Sequence, residues 1–247
     1  INRHRITTLD FVPSMLQAFV DTGALAACPT LRFITVGGEA LPPELAQRVA
    51  EHHAAPLYNM YGPTEAAIDT TYWRCAGDSR SVPIGRPWSG TQAYVLDARM
   101  QLVPPGVAGE LYIGGAGLAR GYLGKAARTA EQFVPNPFST SAERLYRTGD
   151  LVRRRADGVL EFVGRTDHQV KIRGYRIELG EIEARLAALP AVAEAVVEAR
   201  PGPSGKQLVA YVTGVDEAQL PKVRDALRRE LPEYMMPVRL AAVTGSG

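Results

Sequence analysis

Apolar residues along the first ninety positions alternate between two spacings. Leu9, Val12, Leu16 and Phe19 recur at helical intervals, whereas Leu31-Arg32-Phe33-Ile34-Thr35-Val36 is a short apolar run that reads as a buried strand, ended by Gly37-Gly38. Pro42-Pro43-Glu44 opens a helix predicted to reach about His53, because proline suits a first helical turn and an acidic residue suits the positive helix end. Leu57-Tyr58-Asn59-Met60-Tyr61 follows as another strand. Strand, helix and strand in succession imply α/β layering.

Past Gln92 the pattern changes to short apolar stretches at Ala93 to Leu96, Gly109 to Ile113, Leu145 to Thr148 and Val159 to Val163. Glycine and proline turns separate them, which predicts a small antiparallel sheet or barrel. After Gly164 a polar connector leads to helix Glu178 to Ala188, strands Val192 to Ala199 and Leu208 to Val212, and helix Glu217 to Leu231. The turn Pro201-Gly202-Pro203-Ser204-Gly205 joins the two strands. Ile182, Leu186 and Leu189 give the first helix one apolar face, so this stretch is expected to form its own α+β unit. The expected class is α/β, with residues 1–166 in a larger subdomain and 167–247 in a small mobile one.

Composition narrows the function classes. A chain of 247 residues that is 46% hydrophobic can bury a substantial core. Its 28 basic and 26 acidic residues are spread along the chain, which gives nucleic-acid binding no support. Cys28 and Cys75 lack metal-ligand spacing and are expected to stay reduced, as in a cytoplasmic protein. No run approaches the ~18 apolar residues of a membrane span. Ile1-Asn2-Arg3-His4 resembles neither a signal peptide nor a natural start, so an excised piece is expected.

Candidate chemistry lies in the turns. Gly114-Gly115-Ala116-Gly117 lacks a following Lys-Ser/Thr and is read as a tight turn, not a phosphate loop. In Asn59-Met60-Tyr61-Gly62-Pro63-Thr64-Glu65 a strand end presents a hydroxyl and a carboxylate together: Thr64 could donate to a phosphate oxygen and Glu65 could hold Mg²⁺, unless the pair merely caps a helix. Tyr146-Arg147-Thr148-Gly149-Asp150 sets a carboxylate where it could accept two ribose hydroxyls, or is simply a turn. Gly164-Arg165-Thr166-Asp167 and Gln169-Val170-Lys171-Ile172-Arg173-Gly174 gather charge at the proposed boundary, as a solvated connector also would.

These motifs, in order with Gly37-Gly38-Glu39-Ala40-Leu41, Gly109 to Tyr122, Val170 to Glu183 and Leu231-Pro232-Glu233-Tyr234-Met235-Met236-Pro237, resemble the adenylation domains of nonribosomal peptide synthetases, in the superfamily of acyl-CoA synthetases and luciferase. The string Val170 to Glu183 looks like the peptide-synthetase branch. The resemblance implies a partial adenylate-forming fold that forms an aminoacyl adenylate from ATP and passes the acyl group to the phosphopantetheine thiol of a peptidyl carrier protein. It implies that Gly37, Gly38, Glu39, Asn59 and Tyr61 surround adenine, that Thr64 meets the α-phosphate and Glu65 the Mg²⁺, and that Asp150 and Arg165 hold the ribose. Asp167 matches a hinge, and Lys171 and Gly174 approach the site in the thioester-forming state. Asp10, Ile34, Val36, Met60, Ile68 and Asp69 match the substrate pocket; its two carboxylates favour a basic amino acid, with serine as the rival.

A Ser/Thr/Gly-rich phosphate loop, an aspartate for the substrate ammonium and a terminal Gly-Lys segment are missing, and Ala241 to Gly247 reads as an engineered or truncated tail. The 247 residues alone are therefore expected to be inactive. The other class is a non-catalytic module docking a carrier or an MbtH-like helper, for which Arg155-Ala156-Asp157-Gly158 matches the helper-binding hairpin and equally suits a tight turn.

Overall fold

A computed structural model describes residues 1–76, 81–202 and 205–243. The chain divides into two compact units, Ile1–Asp167 and His168–Gly247.

In the first unit, β1 (Thr8–Phe11), β2 (Phe33–Gly37) and β3 (Leu57–Tyr61) run parallel, and α1 (Pro13–Asp21) and α2 (Pro43–His52) are the crossovers between them. β4 (Thr71–Arg74) and β5 (Arg86–Pro87) extend this sheet antiparallel in the order β1-β2-β3-β4-β5. Leu16, Val20, Leu45 and Val49 from the helices close over Ile34, Val36 and Leu57 from the strands. Removing each such side chain from water contributes about 1.5–3 kcal/mol, which holds the helices on this face. The helical spacing of Leu9 with Val12, Leu16 and Phe19 misled: Leu9 lies in β1, and the helix begins only at Pro13, whose fixed φ suits its first turn.

A second sheet follows. β6 (Thr91–Leu96), β7 (Ala108–Gly115), β9 (Arg144–Arg154) and β10 (Leu160–Arg165) are ordered β10-β9-β7-β6, while β8 (Phe133–Pro135), reached through α3 (Ala126–Gln132), also pairs with β9. All its pairings are antiparallel, as the turn-punctuated pattern implies. The short α3, β4 and β5 carry too little periodicity to be read from sequence.

The second unit opens on a hairpin of β11 (Val170–Ile172) and β12 (Tyr175–Ile177), where a polar connector is expected. α4 (Leu179–Ala187) and α5 (Leu220–Arg228) then cover a sheet in which β14 (Gly205–Val212) pairs antiparallel with β13 (Ala195–Gly202) and parallel with β15 (Arg239–Ala242). α5 is shorter than its apolar pattern: the turn before it is bonded from each residue to the third one on, Gln219 N–H to the Asp216 carbonyl (3.1 Å) and Leu220 N–H to that of Glu217 (3.4 Å), and regular helix begins at Leu220. Ile177, Ile182, Leu186, Ala210 and Val212 are fully buried in a core belonging to this unit. Pro203 and Ser204 of the expected turn, and the Thr244-Gly245-Ser246-Gly247 end, lie outside the described residues. Among those described, no helix is long and apolar enough to cross a membrane.

Candidate active site

Because β1, β2 and β3 are parallel, their carboxyl ends line one edge of the sheet, where open α/β sheets receive ligands. Gly37-Gly38-Glu39 leaves the end of β2, and Gly62-Pro63-Thr64-Glu65 leaves the end of β3. The second loop doubles back on its strand: Thr70 N–H donates to the Tyr61 carbonyl (2.8 Å) and Ile68 N–H to that of Pro63 (3.1 Å). Gly62 permits this, since a Cβ there would stand 2.1 Å from the Ile68 carbonyl oxygen. Thr64–Ala66 forms one 3₁₀ turn without a side-chain cap, so helix capping does not account for Thr64 and Glu65. Thr64 is exposed. The Glu65 carboxylate accepts the Tyr122 hydroxyl at 2.7 Å, and the Glu65 carbonyl accepts Ala119 N–H at 2.8 Å.

Asp150 lies inside β9, with 4% of its surface exposed, so it is not a solvated turn residue. Its carboxylate accepts the Tyr61 hydroxyl and one Arg165 amine, and Arg165 on β10 is its cross-strand partner. Arg165 also grips Asp167 through two bonds of 2.6 and 2.7 Å. Burial, reinforced by the Asp150 charge, pushes the Tyr61 phenol well above its ordinary range and keeps it a donor. Glu110 anchors the bend before Asp150, accepting from Arg147 (2.9 Å) and from Gly149 N–H (3.2 Å). Gly149 adopts φ +73°, and a Cβ there would meet Arg165 and Asp167 side-chain atoms at 2.8 and 2.9 Å.

Asn59 is buried on β3, the strand that carries the cradle's Tyr61. Its amide donates to the Pro83 carbonyl (2.8 Å), while its Oδ1 is buried without a partner. An unfilled buried acceptor costs about 1–3 kcal/mol, which makes it a candidate for a ligand donor.

The expected pocket set needs correction. Asp10 pairs in register with Thr35, whose hydroxyl donates to its carboxylate at 2.6 Å, and Gly37 pairs with Met60. Ile34 and Val36 alternate to the opposite face, fully buried against α1 and α2. They are core residues, and Thr35 stands where they were expected. Ile68 and Asp69 follow in the doubled-back loop; Ile68 has φ +74° and is 66% exposed, a costly conformation for a β-branched side chain. Partial burial, and after it the Asp10 charge, raise the Asp69 pKa.

Asp167 is the last residue of the first unit. Lys171 and Gly174 lie in the β11–β12 hairpin, where Arg173 (φ +52°) and Gly174 (φ +79°) make the turn. Arg155–Gly158 closes the β9–β10 hairpin through Gly158 N–H to the Arg155 carbonyl (2.9 Å). Sequence reasoning missed Thr35, Glu110 and Tyr122; only the last two carried a signal, as members of the Gly109–Tyr122 motif.

Paired strand-end loops, a tyrosine–aspartate–arginine cradle and an unfilled acceptor define an α/β protein whose candidate site lies at its parallel strand ends. Residues 1–123 match the family described as AMP-binding enzyme, and residues 181–246 match the AMP-binding enzyme C-terminal domain. The phosphinothricin tripeptide synthetase PhsB of Streptomyces viridochromogenes is 51% identical over 238 residues, covering 94% of this chain and 20% of the relative. Tyrocidine synthase 3 of Brevibacillus parabrevis is 47% identical over 229 residues, 92% of this chain and 4% of that synthase. Among solved structures, holo-PA1221, an NRPS protein containing adenylation and PCP domains, has a TM-score of 0.89 at 33% identity over 99% of this chain and 43% of its own. The Vibrio cholerae adenylation domain AlmE, in complex with glycyl-adenosine-5'-phosphate, has a TM-score of 0.87 at 30% identity over 99% of this chain and 48% of its own. The chain belongs to the AMP-binding enzyme family, in its branch of nonribosomal peptide synthetase adenylation domains. It spans under half of these two solved chains and a fifth or less of the two curated relatives.

Proposed function

We propose that the protein containing this chain is an AMP-forming ligase that activates an amino acid with ATP and passes it to the phosphopantetheine thiol of a carrier protein. The observation that carries the reading is the buried Asp150, held by Arg165 and by Tyr61, whose strand also carries the unpartnered Oδ1 of Asn59. In this reading Asp150 and Arg165 receive the ribose, the Asn59 acceptor and Tyr61 ring meet adenine beside Gly37, Gly38 and Glu39, and Thr64 donates to the α-phosphate. Glu65 fits the needs of Mg²⁺, which commonly takes one or two protein carboxylates together with substrate phosphates. The metal, when bound, offsets phosphate charge. The amino-acid carboxylate attacks the α-phosphorus and pyrophosphate leaves; the carrier thiol then displaces AMP. Asp167 serves as the hinge between these two steps, with Lys171 and Gly174 acting in the second. PA1221, whose structure contains adenylation and PCP domains, supports a carrier partner.

Asp10 and Asp69 support a substrate with a cationic side chain over a serine-like one, because two carboxylates, one of which feels the other's charge, are satisfied best by a charge and several donors. The test is amino-acid-dependent pyrophosphate exchange by the full-length protein, profiled across amino acids and repeated with Asp10→Asn and Asp69→Asn. Preference for arginine, ornithine or lysine, lost in both variants, is expected. Preference for an apolar amino acid would refute the substrate assignment, and the absence of any exchange would refute the activity.

A further inference from the structure

We infer that Tyr122 is a positioning residue for the metal-facing carboxylate of Glu65, an inference that rests on the nucleotide reading above. The Gly109–Tyr122 motif otherwise has no assigned role beyond Glu110. At its end the Tyr122 hydroxyl donates to Glu65 Oε1 at 2.7 Å, across 57 residues of sequence. The same motif reaches the Glu65 backbone, where Ala119 N–H donates to the Glu65 carbonyl at 2.8 Å. Glu65 is therefore held at main chain and side chain by one segment.

Tyr122 is itself fixed. Its N–H donates to Thr129 Oγ1 at 2.9 Å, and that hydroxyl donates to the Lys125 carbonyl at 2.9 Å. Its ring stands edge-on to Phe133 with centroids 5.8 Å apart, and the Arg128 guanidinium lies 5.3 Å from its centre. A carboxylate on a one-turn 3₁₀ segment has little local structure to orient it. The phenol restricts its rotamers and leaves lone pairs for a cation, because each carboxylate oxygen accepts more than one bond.

The experiment is calorimetric titration of ATP into the full-length protein, in excess EDTA and in saturating Mg²⁺, for wild type, Tyr122→Phe, Glu65→Gln and the double variant. Tyr122→Phe keeps the ring and its packing, and melting curves with Tyr94→Phe as a hydroxyl-deletion control check the fold. Tyr122→Phe is expected to reduce the Mg²⁺-dependent gain in ATP affinity about tenfold while leaving affinity in EDTA unchanged. Added to Glu65→Gln it should cost nothing more, since both act through one carboxylate. An unaltered Mg²⁺-dependent gain in Tyr122→Phe, or an undiminished effect in the Glu65→Gln background, overturns the positioning role. Wild-type protein without Mg²⁺-dependent ATP binding would instead overturn the nucleotide reading itself.

Discussion

Asp69 titrates above an ordinary aspartate because enclosure strips its water and Asp10 adds a like charge. A carboxyl whose pKa rises on folding destabilises the fold once ionised, so the penalty is absent below the unfolded pKa and complete above the folded one. Asp69→Asn should therefore stabilise the chain at neutral pH, by under about 1 kcal/mol given solvent screening at an exposed side chain. The gain should vanish below pH ~3, where both states bind the proton. Urea unfolding at the two pH values measures this, and equal stability of variant and wild type at neutral pH would show that neither partial burial nor the Asp10 charge penalises the ionised Asp69. The positive φ of Ile68 beside it fits a loop whose shape serves a ligand more than the fold.

Between elements, the β9–β10 pair determines the cradle. Asp150 and Arg165 are cross-strand partners, and the bend before Asp150 exists because Glu110 on β7 ties down both Arg147 and Gly149. Gly149→Ala would force a side chain into φ +73° and push its Cβ against Arg165 and Asp167. The expected loss is about 1–3 kcal/mol in denaturant unfolding, with a lowered midpoint and an unchanged slope. A neutral substitution would mean that the arginine and aspartate swing aside without cost. Elements with long, regular apolar spacing, such as α2 and β3, were legible in the sequence to within a residue or two. The β11–β12 hairpin was not, because three-residue strands carrying Lys171, Tyr175 and Arg176 look like solvated connector.

At the scale of the molecule, two compact units, the second with a hydrophobic core of its own, predict two unfolding events. Ile182 is fully buried within the second unit's own core, and replacing it with alanine should cost about 2–5 kcal/mol in that unit's transition alone. Calorimetry of the chain and of residues 168–247 expressed separately tests this; equal shifts in every transition would show one cooperative body instead. The sequence by itself determined the class of fold, the strand-end loops and the ordered motifs, because periodicity, glycine and proline act over a few residues. Only the tertiary structure decided which face each strand residue took and which distant groups met. Ile34 and Val36 match pocket positions in sequence, yet the helices that cover β2 claim them, and the one-residue alternation of a strand gives Asp10's face to Thr35. Asp150 met Tyr61 across 89 residues and Tyr122 met Glu65 across 57, contacts set by strand order and loop closure, which no local spacing encodes.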